Sequence, residues 1–308
     1  MPHLIEHVDL VLQGSVMLLV VTLGMNTTWH DVIYLIRRPG LLTRSLVARN
    51  VVMPFAALIL VRALDLRAPV SAVLLAVSIS GVPPMLPRRL LKAGGSESYA
   101  ISLLASQSLI AIAFVPLSLS IFNAVFGTRA QFARNTGVVV ASLTIAPLLA
   151  GIAIRRLAPR LAERVAGPLQ TAATLLLAIA IVLLLPHAWR AWSILVGNGT
   201  LMAVFLLIAI GIGAGHLLGG PREQDRTSLA LASISSNPGL AIAILSANAI
   251  QQSRLAAAAV LLYLAVSALV SIPYMRRRGA PATMGLYRIS QRRITVRPGL
   301  DRRHDPRA

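Results

Sequence analysis

Ala76-Val-Ser-Ile-Ser-Gly-Val-Pro-Pro84 and Leu231-Ala-Ser-Ile-Ser-Ser-Asn-Pro-Gly239 carry the same device twice in one chain. Ser78, Ile79 and Ser80 are followed by Pro83, and Ser233, Ile234 and Ser235 are followed by Pro238 at the same spacing. Each motif lies within an apolar run that would otherwise read as uninterrupted helix. Proline removes a backbone donor and its ring clashes with the preceding turn, so both runs should unwind, around Gly81 to Pro84 and around Ser236 to Gly239. Carbonyls and amides freed in hydrocarbon are too costly to leave exposed, and persist only where they line a cavity or pack against protein. Two proline-broken spans at matching places in two halves point to a binding site where the broken helices cross.

The surrounding sequence fixes the class as all-α integral membrane. Of 308 residues 56% are hydrophobic and 13% charged, about half the charge of a soluble domain. The apolar residues fall in nine runs, at about 8–27, 41–63, 69–91, 98–123, 136–154, 167–187, 199–218, 227–249 and 255–275. Each run is about the 20 residues that cross a bilayer core of about 30 Å. The broken runs are the third and the eighth. An odd offset sends them through the membrane in opposite directions, as an inverted repeat requires. Residues 1–275 form one transmembrane domain on this reading. Residues 276–308, rich in Arg with Pro281, Pro298 and Pro306, form a basic tail expected to be disordered and drawn to anionic lipid.

The net charge of +19 belongs to topology rather than to nucleic-acid binding, because the cations lie between the runs and in the tail. Arg37, Arg38, Arg44, Arg88, Arg89, Lys92, Arg155, Arg156, Arg160, Arg164, Arg222 and Arg226 fall on one face. Only Arg62, Arg67, Arg129, Arg134, Arg190 and Arg254 fall on the other, and the tail adds ten arginines to the first. That bias predicts an inner (plasma) membrane protein with its N-terminus outside and its C-terminus cytoplasmic. Trp189 and Trp192 mark the outer interface, and Trp29, Tyr34 and Tyr274 the inner one. Trp29, Val32, Ile33 and Ile36 share a helical face expected to lie along the inner surface.

Catalytic chemistry has no visible seat. There is no cysteine, no Gly-x-Ser-x-Gly elbow and no paired carboxylates at membrane depth. The ten acids, from Glu6 to Asp305, all lie at span ends or in loops, so neither proton nor metal coupling through an intramembrane carboxylate is expected. His216, near the inner end of the seventh run, reads as structural. Arg49 is the exception among charges, because it sits about 12 Å into the second run at 1.5 Å per residue. It either snorkels to the surface or finds a partner inside.

Leu23-Gly-Met-Asn26, Arg37-Arg-Pro39, Val52-Met-Pro54, Pro83-Pro84, Ala93-Gly-Gly95 and Asn237-Pro-Gly-Leu240 together resemble the bile acid:sodium symporter family, over about residues 10–275. The resemblance implies a divergent bacterial member with inverted five-helix repeats, a panel and a core sub-bundle, and crossed helices that hold the substrate. The family's first helix has no counterpart, which accounts for nine spans and an outside N-terminus. On this likeness Ser78, Ser80, Gly81, Pro83, Ser233, Ser235, Ser236, Asn237 and Pro238 flank the crossing, and the fourth run adds Ser106 and Gln107, with Ser102 and Ser108 beside them.

The sodium ligands are where the sequence departs from the family. Ala232 stands at the family's glutamate, Ser236 at a glutamine, Pro87 near an asparagine and Arg49 at another glutamine. Set against the resemblance, these departures lead to the expectation of a secondary transporter of a small organic solute, an organic anion, working by alternating access with sodium coupling weak or absent; if Arg49 does not snorkel, it takes the place of sodium and its five donors face a substrate carboxylate. Two other readings stay open: a sodium symporter using hydroxyl and carbonyl ligands, and a transport-dead sensor or channel of the same fold. No cofactor is expected.

Overall fold

A computed structural model describes residues 2–26, 33–126, 136–196, 199–246 and 254–278. Trp29, Ser290 and the tail beyond Arg278 lie outside the described residues, as do the side chains of Ser108, Trp189 and Trp192. Every described element is helical: α1 Pro2–Asn26, α2 Pro39–Ala63, α3 Ala68–Ile79, α4 Leu86–Lys92, α5 Glu97–Phe126 and α6 Thr136–Leu157. The second half holds α7 Pro159–Val196, α8 Thr200–Leu218, α9 Glu223–Ile234, α10 Pro238–Ser246 and α11 Arg254–Arg278. Among the described residues, Pro39–Ala63, Thr200–Leu218 and Ala258–Arg277 are long and apolar enough to cross a membrane. Gln13–Asn26 of α1, Ala68–Ile79 and Ala113–Phe126 of α5 are shorter apolar helical stretches.

Burial follows from composition. In α3 every residue from Val70 to Ile79 is buried, as in α9 is every residue from Thr227 to Ile234. Helices covered on all sides occupy the centre of a bundle. By contrast, α2 shows one apolar stripe outward at Val51, Phe55 and Ile59, exposed at 58%, 63% and 47%. The spacing of four keeps that stripe on one helix face, a surface suited to lipid.

The helices form one bundle, in which α11, beside the breaks, also packs closely along α7. α1 lies along α6 and α7, while α2, α3, α8, α9, α10 and α11 surround the two breaks. Hydrocarbon tails are as apolar as leucine, so helices in lipid associate largely through close backbone approach at small residues. Gly24, from the Leu23-Gly-Met-Asn26 motif, faces Gly151 of α6. A Cβ on Gly24 would lie 2.5 Å from the Leu148 carbonyl, and one on Gly151 2.1 Å from that of Val21. On α8 a ladder at spacing four does the same against α9. Cβ atoms on Gly215 and Gly219 would come within 2.4 Å of the Cα atoms of Ala230 and Arg226, and Gly211 meets Ile234 and Met53.

Both predicted breaks exist, and the second is displaced. The chain leaves helix from Ser80 to Met85 and again from Ser235 to Asn237. Pro238 and Gly239, expected to be unwound, open α10 instead. Proline tolerates the first helical turn because its missing N–H would be unpaired there in any case. Asn237 completes the start, its Oδ1 accepting from the Leu240 amide at 3.3 Å. Of the stretch expected along the inner surface, Trp29 and Val32 lie outside the described residues; residues 34–37 form a turn in which Leu35 is buried and Ile36 is 56% exposed.

The glycine ladder supplies a paired test. Gly213, two residues from Gly215, has nothing within 4 Å of the place a Cβ would take. Gly213→Ala should be neutral or stabilising by up to about 1 kcal/mol from helix propensity. Gly215→Ala should cost about 2 kcal/mol or more by forcing the two backbones apart. Equal melting midpoints for the two variants in detergent would refute this packing.

Candidate functional site

The site begins with a flaw in α2. Pro54 offers no N–H to Asn50 and crowds its carbonyl. Just upstream the helix widens into a π segment, Val47–Val52, closed by the Met53 amide donating to the Ala48 carbonyl. Such bulges carry an extra residue in the turn and frequently lie at functional sites. Arg49 sits inside the bulge on the face opposite the lipid stripe, and is 2% exposed. It does not snorkel.

Its guanidinium ends at the crossing of the two breaks. Nη1 donates to the Ser233 carbonyl at 3.1 Å, and Nη2 lies 3.1 Å from the carbonyl of Gly81, 3.3 Å from that of Ser235 and 3.4 Å from that of Ser80. These carbonyls lie at or beside the C-terminal ends of α3 and α9. The last four carbonyls of a helix lack partners and carry the negative end of its dipole. One cation thus serves two helix ends at once. The breaks also join directly, the Asn237 amide donating to the Gly81 carbonyl at 3.2 Å.

The expected donation of Arg49 to a substrate carboxylate is therefore preceded by another commitment, since both Nη atoms already face backbone oxygens. Nε has no partner, and neither does the hydroxyl of Ser233; both are buried.

The other sequence-derived residues divide into two groups. Ser236, Asn237, Gln107 and the backbone of Ser80, Gly81, Ser233 and Ser235 meet at the crossing. Ser236 Oγ donates to the Val77 carbonyl at 2.8 Å, tying the second break to α3. Gln107 Nε2 donates to Asn50 Oδ1 at 2.9 Å, fastening α5 to the π segment beside Arg49. Ser78, Ser80 and Ser106 turn their hydroxyls back onto their own chain, to the carbonyls of Leu75, Val77 and Ser102 at 2.7, 3.1 and 2.8 Å. Pro83 is buried in the first break, where its carbonyl accepts from the Leu86 amide at 3.0 Å, and Pro238 starts α10.

Sequence reasoning missed Tyr263 and Ser267 of α11, whose hydroxyls both donate to the Ile234 carbonyl at 2.9 Å and so finish the end of α9. A tyrosine deep in an apolar run was the available signal, because a buried phenol needs a partner. His216 pairs with the Tyr274 hydroxyl at 3.3 Å, ring edge to ring face.

Apolar outward faces, two mutually bonded helix breaks and a buried polar crossing define a helical membrane transporter. The profile of the Sodium Bile acid symporter family matches residues 15–191, more than half of the chain, and the protein belongs to that family. The match covers the first break and Arg49, while the second break lies beyond it. No individual curated relative matches the chain.

Removing the guanidinium would strand the carbonyls of Ser80, Ser233 and Ser235, since Gly81 keeps the Asn237 amide, each costing about 1–3 kcal/mol when buried without a donor. Arg49→Met, close in length and uncharged, should therefore lose about 3 kcal/mol or more of stability. An unchanged unfolding midpoint in detergent would show that Arg49 does not support the crossing.

Proposed function

We propose that the protein moves a small organic anion by alternating access, without sodium, through an inverted-repeat fold of nine spans crossed at α3/α4 and α9/α10. The observation that carries this reading is the hydrogen bonding of Arg49 to the carbonyls of Ser80, Gly81, Ser233 and Ser235. Carbonyl oxygens converging from two helix ends are the donor set a hard monovalent cation uses. Here that set already faces a guanidinium, which stays protonated under all ordinary conditions. The competing reading, a sodium symporter using hydroxyls and carbonyls, needs the same oxygens. The fixed charge favours an anionic solute, and the free Nε of Arg49, the Ser233 hydroxyl and the N-terminus of α10 are the donors left to meet it.

Ligand-induced stabilisation tests the reading because a ligand raises the melting point of the state it binds. A panel of carboxylates and sulfonates, bile acids included, should contain ligands that stabilise the purified protein equally in sodium and potassium. Arg49→Gln should abolish the shift. Arg49→Lys should retain the charge yet lose about tenfold or more in affinity, since the planar fork is gone. A shift that requires sodium, or one undiminished in Arg49→Gln, overturns the proposal.

We further propose that the arginine-rich ends of the helices face the cytoplasm, as their charge bias implies. The chain has no cysteine, so single substitutions report cleanly. On intact cells an impermeant thiol reagent should label Ser253→Cys and spare Ser290→Cys; the reverse pattern would refute the orientation.

A further inference from the structure

The sequence places Asp225 in a polar connection on the arginine-rich side, just before the eighth apolar run. In the structure it is 4% exposed, in the first turn of α9. Charged and phenolic groups from the turn before α2, from α5 and from the start of α9 surround it. The turn before α2 brings Tyr34, whose hydroxyl hydrogen-bonds the Asp225 carboxylate, and Arg38, whose Nη1 donates to that same hydroxyl. Arg38 also lies over the Tyr34 ring, 4.2 Å from its centre. From α5 comes Tyr99, fully buried, its hydroxyl 2.6 Å from that of Ser45. Arg222 caps α9 itself. Next to Asp225, the connection after α8 is fastened to α9: Gly219 packs on Arg226, whose Nε donates to the Gly220 carbonyl at 2.6 Å.

The result is a directed chain, Arg38 to Tyr34 to Asp225. The carboxylate accepts, the phenol both donates and accepts, and the guanidinium donates. Among the acids whose burial is described, Asp65, Glu97, Glu163 and Glu223 are all exposed. The chain also spans a seam, the connection between α1 and α2. Residues 33–38 join α1, which packs with α6 and α7, to α2, which belongs to the helices around the crossing. Asp225 lies on the crossing side, on the same rigid helix whose far end gives Arg49 the Ser233 carbonyl.

We propose that Asp225 is a proton-binding site that controls this seam: ionised, it clasps the turn at residues 33–38 through Tyr34 and Arg38, and protonated it lets the turn go. The chemistry is a simple proton transfer from water on the arginine-rich side to the carboxylate. Once neutral, the acid no longer attracts the Arg38 and Arg222 charges and accepts only weakly from the phenol. Burial supports the assignment, since it raises the pKa of Asp225 above its ordinary value. The charges of Arg38 and Arg222 and the Tyr34 hydroxyl oppose that shift and are outweighed. Desolvation thus draws the proton on, and the clasp resists it. Displacement of the turn would reach the crossing along α9, which links a proton on one side to the site gripped by Arg49.

The test needs no transported substrate. Infrared difference spectra of the purified full chain, between about pH 8 and about pH 5, should show the carbonyl stretch of a buried protonated acid. Asp225→Asn should lack that band. Tyr34→Phe removes a bond made more strongly to the ionised form, so its band should remain and titrate at higher pH. Hydrogen exchange of residues 33–46, corrected for intrinsic chemistry, should quicken about threefold or more on acidification in the unmodified protein. In Asp225→Asn it should be fast at both pH values. A static ion cluster would give lower stability at every pH and no moving midpoint. The proposal is overturned if the band survives in Asp225→Asn, if Tyr34→Phe leaves the midpoint in place, or if exchange of the turn ignores pH.

Discussion

Four backbone carbonyls with no helical partner, and one guanidinium placed to receive them, are what the rest of this molecule is arranged around. A broken helix in a membrane is a liability twice over, because it exposes polar backbone and ends two dipoles in a medium that cannot solvate them. A buried arginine is a liability of the opposite sign. Put together, the two costs cancel in large part. Arg49 supplies charge to the negative ends of α3 and α9, and those ends supply the oxygens that its Nη atoms need. The remaining ends are finished by hydroxyls, Tyr263 and Ser267 on Ile234 and Ser236 on Val77.

That polar centre constrains the packing around it. To bring Arg49 of α2 within reach of α3 and α9 together, the helices must approach more closely than leucine side chains permit. The glycines of α8 let α9 press in, and Met53, one turn past Arg49, packs against Gly211. Ser96 of the α4–α5 connection gives its amide to Ser228 Oγ at 3.0 Å, which fixes α9 from the other side. Gly94, with φ of 72°, allows the chain to turn back there where a side chain would be strained. The Ala93-Gly-Gly95 turn, which looks unconnected to the site in the sequence, is therefore part of the same fitting problem.

The fold class and the existence of both breaks were legible because their causes are local: apolar length, and prolines that forbid continuous helix. The exact edge of the second break was less so, since Pro238 can end one helix or begin the next, and the Asn237 side chain decides in favour of beginning. Ser78 and Ser106 were singled out by residue type, but a hydroxyl within a helix has its own preceding carbonyl as its nearest acceptor, and there both have turned. Arg49 could be located in the sequence but not directed, because a side chain that long reaches either the surface or the interior depending on what other helices bring near. Asp225 was hidden for the same reason. Its neighbours in sequence are polar, and the approach of Tyr34, Arg38 and Tyr99 comes from elements distant in the chain.

The π segment of α2 has an implication for how such a site arises. A bulge of this kind holds one residue more than an α-helical turn, so the helix before it is out of step with the helix after it by about 100°. Inserting a single codon would be enough to create it, and losing one codon between Val47 and Val52 would be enough to erase it. Such a deletion would rotate the first half of α2 against the second, leaving the lipid stripe of Val51, Phe55 and Ile59 and the arginine to compete for one orientation. The lineage of this protein thus has a sharp signature to look for: an indel in this helix that appears and disappears together with the arginine.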